Sequence, residues 1–151
     1  MVGRKRTDEE GFSLLEVLIS LVILAVGLLA LALFQVTAIK GNSIASKWTT
    51  ATQLTQERLE NFRHAPWAGI SSSPAAAYDT GTMRPQYANI VANAGDNVLV
   101  PGTGTRYYRA WFVNNDSATL RTITVWTCWQ DDQSNWHNVM FTTQRANMGG
   151  V

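Results

Sequence analysis

Residues 17–39 carry no charge, and within 17–34 every residue is apolar except Ser20 and Gly27. A bilayer core about 30 Å thick is crossed by roughly 20 helical residues at about 1.5 Å each, so this run is long enough to span one. The segment draws heavily on the chain's 46% hydrophobic content, and the rest of the 151 residues is correspondingly richer in Thr, Asn, Gly and Trp. Arg4, Lys5 and Arg6 precede the run, and only Lys40 and Lys47 follow it closely. By the positive-inside bias the N-terminus is expected in the cytoplasm and the C-terminal part outside it, in a single-pass topology.

One ionisable residue, Glu16, stands immediately before the run. A carboxylate at the centre of a span costs about 2.5–3.5 kcal/mol, less near the ends, and marks a functional position by default. The simplest reading makes Glu16 an interfacial residue in reach of headgroups. Gly11-Phe12-Ser13-Leu14-Leu15-Glu16 weakens that reading, because an apolar stretch comes before the carboxylate. An ordinary secretory signal is the other possibility, with Ala30-Leu31-Ala32 imitating a cleavage site, but Asp8, Glu9, Glu10 and Glu16 are poor features for that machinery.

A short basic leader ending in Gly11, then Phe12, then Glu16 at the fifth position after the glycine, then an unbroken apolar helix, resembles the class III signal of type IV pilins and pseudopilins. The resemblance implies that a prepilin peptidase cuts between Gly11 and Phe12 and methylates the amine of Phe12. The cut would remove three bases and three acids and create a cationic amine. In an apolar helix bundle that amine and the Glu16 carboxylate are natural partners, since a buried unpaired charge costs far more than a paired one. Made between neighbouring subunits, the pair would register an incoming subunit. This is the role the resemblance implies for Glu16.

Beyond the run, Ile44, Trp48, Ala51, Leu54, Leu59 and Phe62 recur mostly at three or four residues, and Pro66 marks a stop. One helix is therefore expected from Phe12 to about Arg63, roughly 75–80 Å at about 1.5 Å per residue. Gly41-Asn42-Ser43 is its weak point, where a kink or a melted turn is expected.

Residues 66–105 read as loop, from turn clusters at Ser71-Ser72-Ser73-Pro74, Asp79-Thr80-Gly81, Asn93-Ala94-Gly95-Asp96 and Pro101-Gly102-Thr103-Gly104, with a short strand at 97–100. Residues 106–114, 118–130 and 136–144 are rich in β-branched and aromatic residues and read as a three-stranded antiparallel meander. Ile123 and Val125, and Val139 and Phe141, supply core faces toward the helix, whereas Trp126 and Cys128 fall on the opposite face.

The expected fold is α+β, a pilin-like lollipop with a long N-terminal helix packed on a small antiparallel sheet. Its parts are a leader at 1–11, a membrane-spanning or filament-core helix at 12–39, an amphipathic half at 40–65, a variable αβ-loop at 66–105 and the meander at 106–151. "TITVWTCWQDDQSNWHNVMFTT" and "GFSLLEVLISLVILAVGLLALALFQ" resemble minor pilins of the type IV pilus modification protein V (PilV) group. This implies a non-enzymatic structural subunit that enters a pilus at the cell surface, in the tip or initiation complex, supporting assembly, twitching motility and adhesion. The implied partners are prepilin peptidase, other minor pilins, the major pilin and the inner membrane. A type II secretion minor pseudopilin and a membrane-anchored periplasmic binding or enzymatic domain are the alternatives.

No catalytic, metal or cofactor site is expected. The formal charge of +1 and scattered basic residues give no field for nucleic acid. Cys128, the only cysteine, cannot form an intrachain disulfide and reads as a small buried thiol. His64 reads as a helix-end residue and His137 as a packed or solvated strand residue. Asp131-Asp132 reads as a solvated hairpin loop, with calcium as its sharper alternative. Tyr107, Tyr108, Trp111, Trp126, Trp129 and Trp136 are candidates for a partner or sugar surface, with core packing the default and one or two of the chain's tryptophans at subunit contacts.

Overall fold

The structure is a computed structural model that describes residues 13–147. The leader 1–11, with Gly11, and Phe12 lie outside the described residues. The architecture is α+β, and the chain divides into two units, Met1–Ser43 and Ile44–Val151.

Helix α1 spans Leu14–His64. Its helical assignment runs unbroken through Gly41, Asn42 and Ser43, so the melted turn expected there does not form. The helix ends where Ala65 N–H donates to Asn61 O at 3.0 Å and Pro66 takes an extended ψ of 142°. Arg63 and His64 occupy the last turn, where the negative end of the helix dipole favours a cation such as Arg63. Every described residue of the first unit is exposed, and its most apolar stretch has a mean hydropathy of 3.1. The described residues of that unit form an apolar helix with no core of their own.

The second unit contains the rest of α1, 3-10 turns at Trp67–Gly69 and Ala75–Ala77, a two-stranded ribbon of β1 (Tyr78–Asp79) and β2 (Arg84–Pro85), and a short helix α2 (Tyr87–Asn93). Strands β3 (Asp96–Leu99), β4 (Arg106–Asn115), β5 (Leu120–Gln130) and β6 (Trp136–Ala146) form an antiparallel sheet in the order β3-β4-β5-β6. The sheet is thus four-stranded rather than three-stranded. The short strand read at 97–100 is β3, paired to β4 with Asp96 opposite Arg109 and Leu99 opposite Arg106.

Alternation along the strands sorts two cores. On one face, Trp111, Val113, Ile123 and Val125 pack with Phe62 and Ile70, and Tyr107, Trp129 and Val139 pack with Ala51. Thr55 is fully buried on the same side, its hydroxyl 2.7 Å from that of Thr127. On the other face, Ala110, Trp126 and Cys128 pack with Ala77, Tyr78 and Ile90. The central strand β5 is therefore buried on both sides, continuously from Ile123 to Trp129.

This second core adds short elements to residues 66–105, which read as loop with turn clusters and one short strand. An aromatic and a thiol on the outer face of the sheet demand a cover, and the segment supplies it with elements too short to show periodicity. The serine cluster is part of that cover. Ser73 N–H donates to Trp111 O at 2.9 Å, Trp111 N–H to Ser73 Oγ at 2.9 Å and Val113 N–H to Ser72 Oγ at 3.0 Å. These serines satisfy the edge of β4 beyond the end of β3.

Candidate functional site

The N-terminus of α1 is built by Ser13, whose carbonyl accepts from Glu16 N–H at 2.9 Å and Val17 N–H at 3.2 Å. That places Ser13 at the cap and Glu16 three residues on, in the first turn, where the positive end of the helix dipole favours a carboxylate. Ser20 Oγ donates back to Glu16 O at 2.8 Å, satisfying its hydroxyl inside the helix. Leu14, Leu15, Val17 and Leu18 surround Glu16 and are 79%, 65%, 47% and 51% exposed. The result is a lone carboxylate at the head of a bare apolar helix. Its expected partner, the amine of Phe12, lies outside the described residues, as does Gly11.

The other singled-out residues lie in the second unit, and most serve packing. Cys128 is fully buried, and burial pushes its thiol up to about 12, which leaves it uncharged and unreactive at neutral pH. Tyr107, Trp111, Trp126 and Trp129 are buried, while Tyr108 and Trp136 are half-buried. Among the tryptophans, Trp48 stands out at 41% exposure, standing edge-on against Trp129 with ring centroids 4.9 Å apart.

Asp131 organises the β5–β6 turn. Its Oδ1 accepts from Gln133 N–H at 2.9 Å and Asn135 N–H at 2.8 Å. Its Oδ2 accepts from Asn135 Nδ2 at 3.2 Å and lies 3.0 Å from His137 Nε2. The His137 bond and these amide donors hold the Asp131 carboxyl well below the usual range. Asp132 instead reaches Lys47 on α1, at 2.7 Å. The two neighbouring carboxylates therefore point to different partners, and no group of three or more metal-ligating side chains occurs among the described residues.

Sequence reasoning missed a charged cluster between α1 and the sheet. Arg109, buried on β4, pairs with Asp96 through Nε–Oδ1 at 2.6 Å and Nη2–Oδ2 at 2.9 Å. It also donates to Leu54 O at 3.1 Å and approaches Glu57 at 3.5 Å. Burial works against its charge, but the hydrogen bonds and charges of Asp96 and Glu57 outweigh it, and the Arg109 pKa is raised. Arg58 lies 3.8 Å above the Trp111 ring and 3.8 Å from Asp96, and burial lowers its pKa. An arginine in an alternating strand pattern, Arg109 between Tyr107 and Trp111 on the helix-facing side, was the available signal.

Chemically, the second unit's polar groups tie helix to sheet, whereas Glu16 is the one charged residue of α1 before Lys40. No curated protein and no solved structure matches the chain. The prokaryotic N-terminal methylation motif matches residues 6–32, a stretch that includes Gly11, Phe12 and Glu16. That match supports a prepilin of the type IV pilin-like kind, processed at its N-terminus and anchored by its apolar helix.

Proposed function

We propose that the chain is a minor type IV pilin of the PilV-like group, a non-enzymatic structural subunit. Prepilin peptidase cuts it between Gly11 and Phe12, Phe12 is methylated, and the subunit joins other minor pilins and the major pilin from the inner membrane. The observation that carries this reading is the methylation motif lying over Glu16 at the head of an exposed apolar helix. Glu16 then pairs with the new amine of a neighbouring subunit and sets its axial position.

Mass spectrometry of the mature N-terminus tests the processing step: methylated Phe12 supports it, and a start at Leu33 or an intact Met1 overturns it. For assembly, Glu16→Ala as the sole copy is expected to be cleaved normally and yet to lose incorporation into filaments by more than about tenfold, since breaking a buried pair costs about 3 kcal/mol or more. Wild-type levels in sheared filaments would remove the registration role. The same motif serves type II secretion pseudopilins, so a deletion strain that loses secretion and keeps twitching motility would favour that system.

A further inference from the structure

Strand β6 is the far edge of the sheet: it pairs with β5 along Trp136–Ala146, and among the described residues no strand pairs with its other side. Long edges are normally protected by charge, proline or brevity. Here the edge has none of these from Asn138 to Gln144, seven uncharged residues without proline or glycine.

Beside this edge lies a groove of about 490 Å³, lined by Thr82, Met83, Arg84, Tyr87, Trp126 and Met140, among others. Met83 and Met140 are apolar and 36% and 48% exposed, which gives the groove adaptable walls. Two of its lining side chains carry donors without acceptors among the described residues. The indole N–H of Trp126 is buried with no partner. The Tyr87 hydroxyl accepts from Asn138 Nδ2 at 2.6 Å and has no acceptor for its own proton among the described residues.

Arg84 forms no ion pair among the described residues, although Asp79 is its cross-strand neighbour. The Asp79 carboxylate is turned into its own turn, accepting from Gly81 N–H at 2.8 Å and Thr82 Oγ1 at 2.9 Å. No carboxylate lines the groove.

We propose that β6 and this groove together receive an extended, acidic strand of a partner polypeptide, added antiparallel or parallel to β6. An extended backbone is the chemistry that satisfies a row of unpaired N–H and C=O groups along an edge. A carbonyl suits the Tyr87 hydroxyl, an apolar side chain suits the methionine walls, and a Glu or Asp suits Arg84. A second copy of β6 is a poorer occupant, because its neighbourhood brings another Arg84 and no carboxylate. The inference stands apart from N-terminal processing, since none of these residues belongs to the matched motif.

The probe is a displayed library of nine-residue peptides, selected against the full chain in non-ionic detergent micelles. Enriched peptides are expected to alternate apolar and polar residues, to carry Glu or Asp at a fixed place, and to protect the amides of residues 138–144 from hydrogen exchange. Arg84→Glu should weaken the best peptide at least tenfold, and the same peptide with its acid changed to Lys should recover binding to that variant. Arg84 is exposed, so the change does not touch the core. No enrichment of alternating sequences, protection elsewhere, indifference to Arg84→Glu, or self-association of the chain through β6 would each overturn the proposal.

Discussion

Asp131 shows how a single carboxylate can fix a turn. Five residues separate β5 from β6, Ser134 among them adopts a positive φ of 64°, and Asp131 gathers the amides that this bend leaves unpaired. The hydrogen bond to His137, followed by those from Asn135 and Gln133, lowers its pKa from 3.8. A carboxyl depressed on folding contributes stability that is complete above its unfolded pKa and is lost as pH falls through the folded one. Stability of the second unit is therefore expected to decline on acidification below about pH 4, the ordinary carboxylate range. Asp131→Asn should flatten part of that decline while lowering stability at neutral pH. Urea midpoints followed by tryptophan fluorescence from pH 7 to pH 2, in the full chain in detergent, measure both; parallel profiles for the two proteins would remove Asp131 from the account. In the sequence this residue read as solvated, because nothing local shows that its oxygens turn inward.

Among the elements, α1, β4, β5 and β6 were legible, since each is long enough to display its period. The cover over Trp126 and Cys128 was not, because β1, β2 and α2 are two, two and seven residues long, too short to display a period. Strand β3 lies between these cases: its β-prone residues were visible, but its place in the sheet depends on Asp96 meeting Arg109. Gly95, just before it, is required by close approach rather than by backbone conformation. A Cβ there would lie 2.1 Å from Cη2 of Trp111, whose ring also supports Arg58. Gly95→Ala must displace the indole or β3, and overpacking of this kind costs about 1–3 kcal/mol. A lower urea midpoint and faster amide exchange at residues 96–99 are the expected readouts, and an unchanged midpoint would show that the ring has room to move. Glu16 drew notice in the sequence for a different reason, its chemical contrast with the apolar residues around it.

At the scale of the molecule, the two units ask for different solvents. Every described residue of Met1–Ser43 is exposed and most are apolar, so that unit needs lipid, detergent or other helices around it. Ile44–Val151 has its own cores, and the part of α1 within it is anchored by Ala51 at 0%, Thr55 at 0% and Phe62 at 6% exposure. In proteins most helical stability comes from packing of one face rather than from propensity. The fragment 44–151 is therefore expected to be soluble without detergent and to unfold cooperatively, whereas the full chain should require a membrane or micelle. Cys128 supplies an internal readout, being fully buried with a thiol pushed up to about 12. In the folded fragment its reaction with a maleimide at pH 7 should be at least about a hundredfold slower than in urea, because the thiolate is the reacting form and both burial and the raised pKa suppress it. The rate should rise with the same urea midpoint as the loss of tryptophan fluorescence, since a cooperative unit opens its core in one step. Fast labelling without urea would mean that the sheet's outer core is not closed in the fragment.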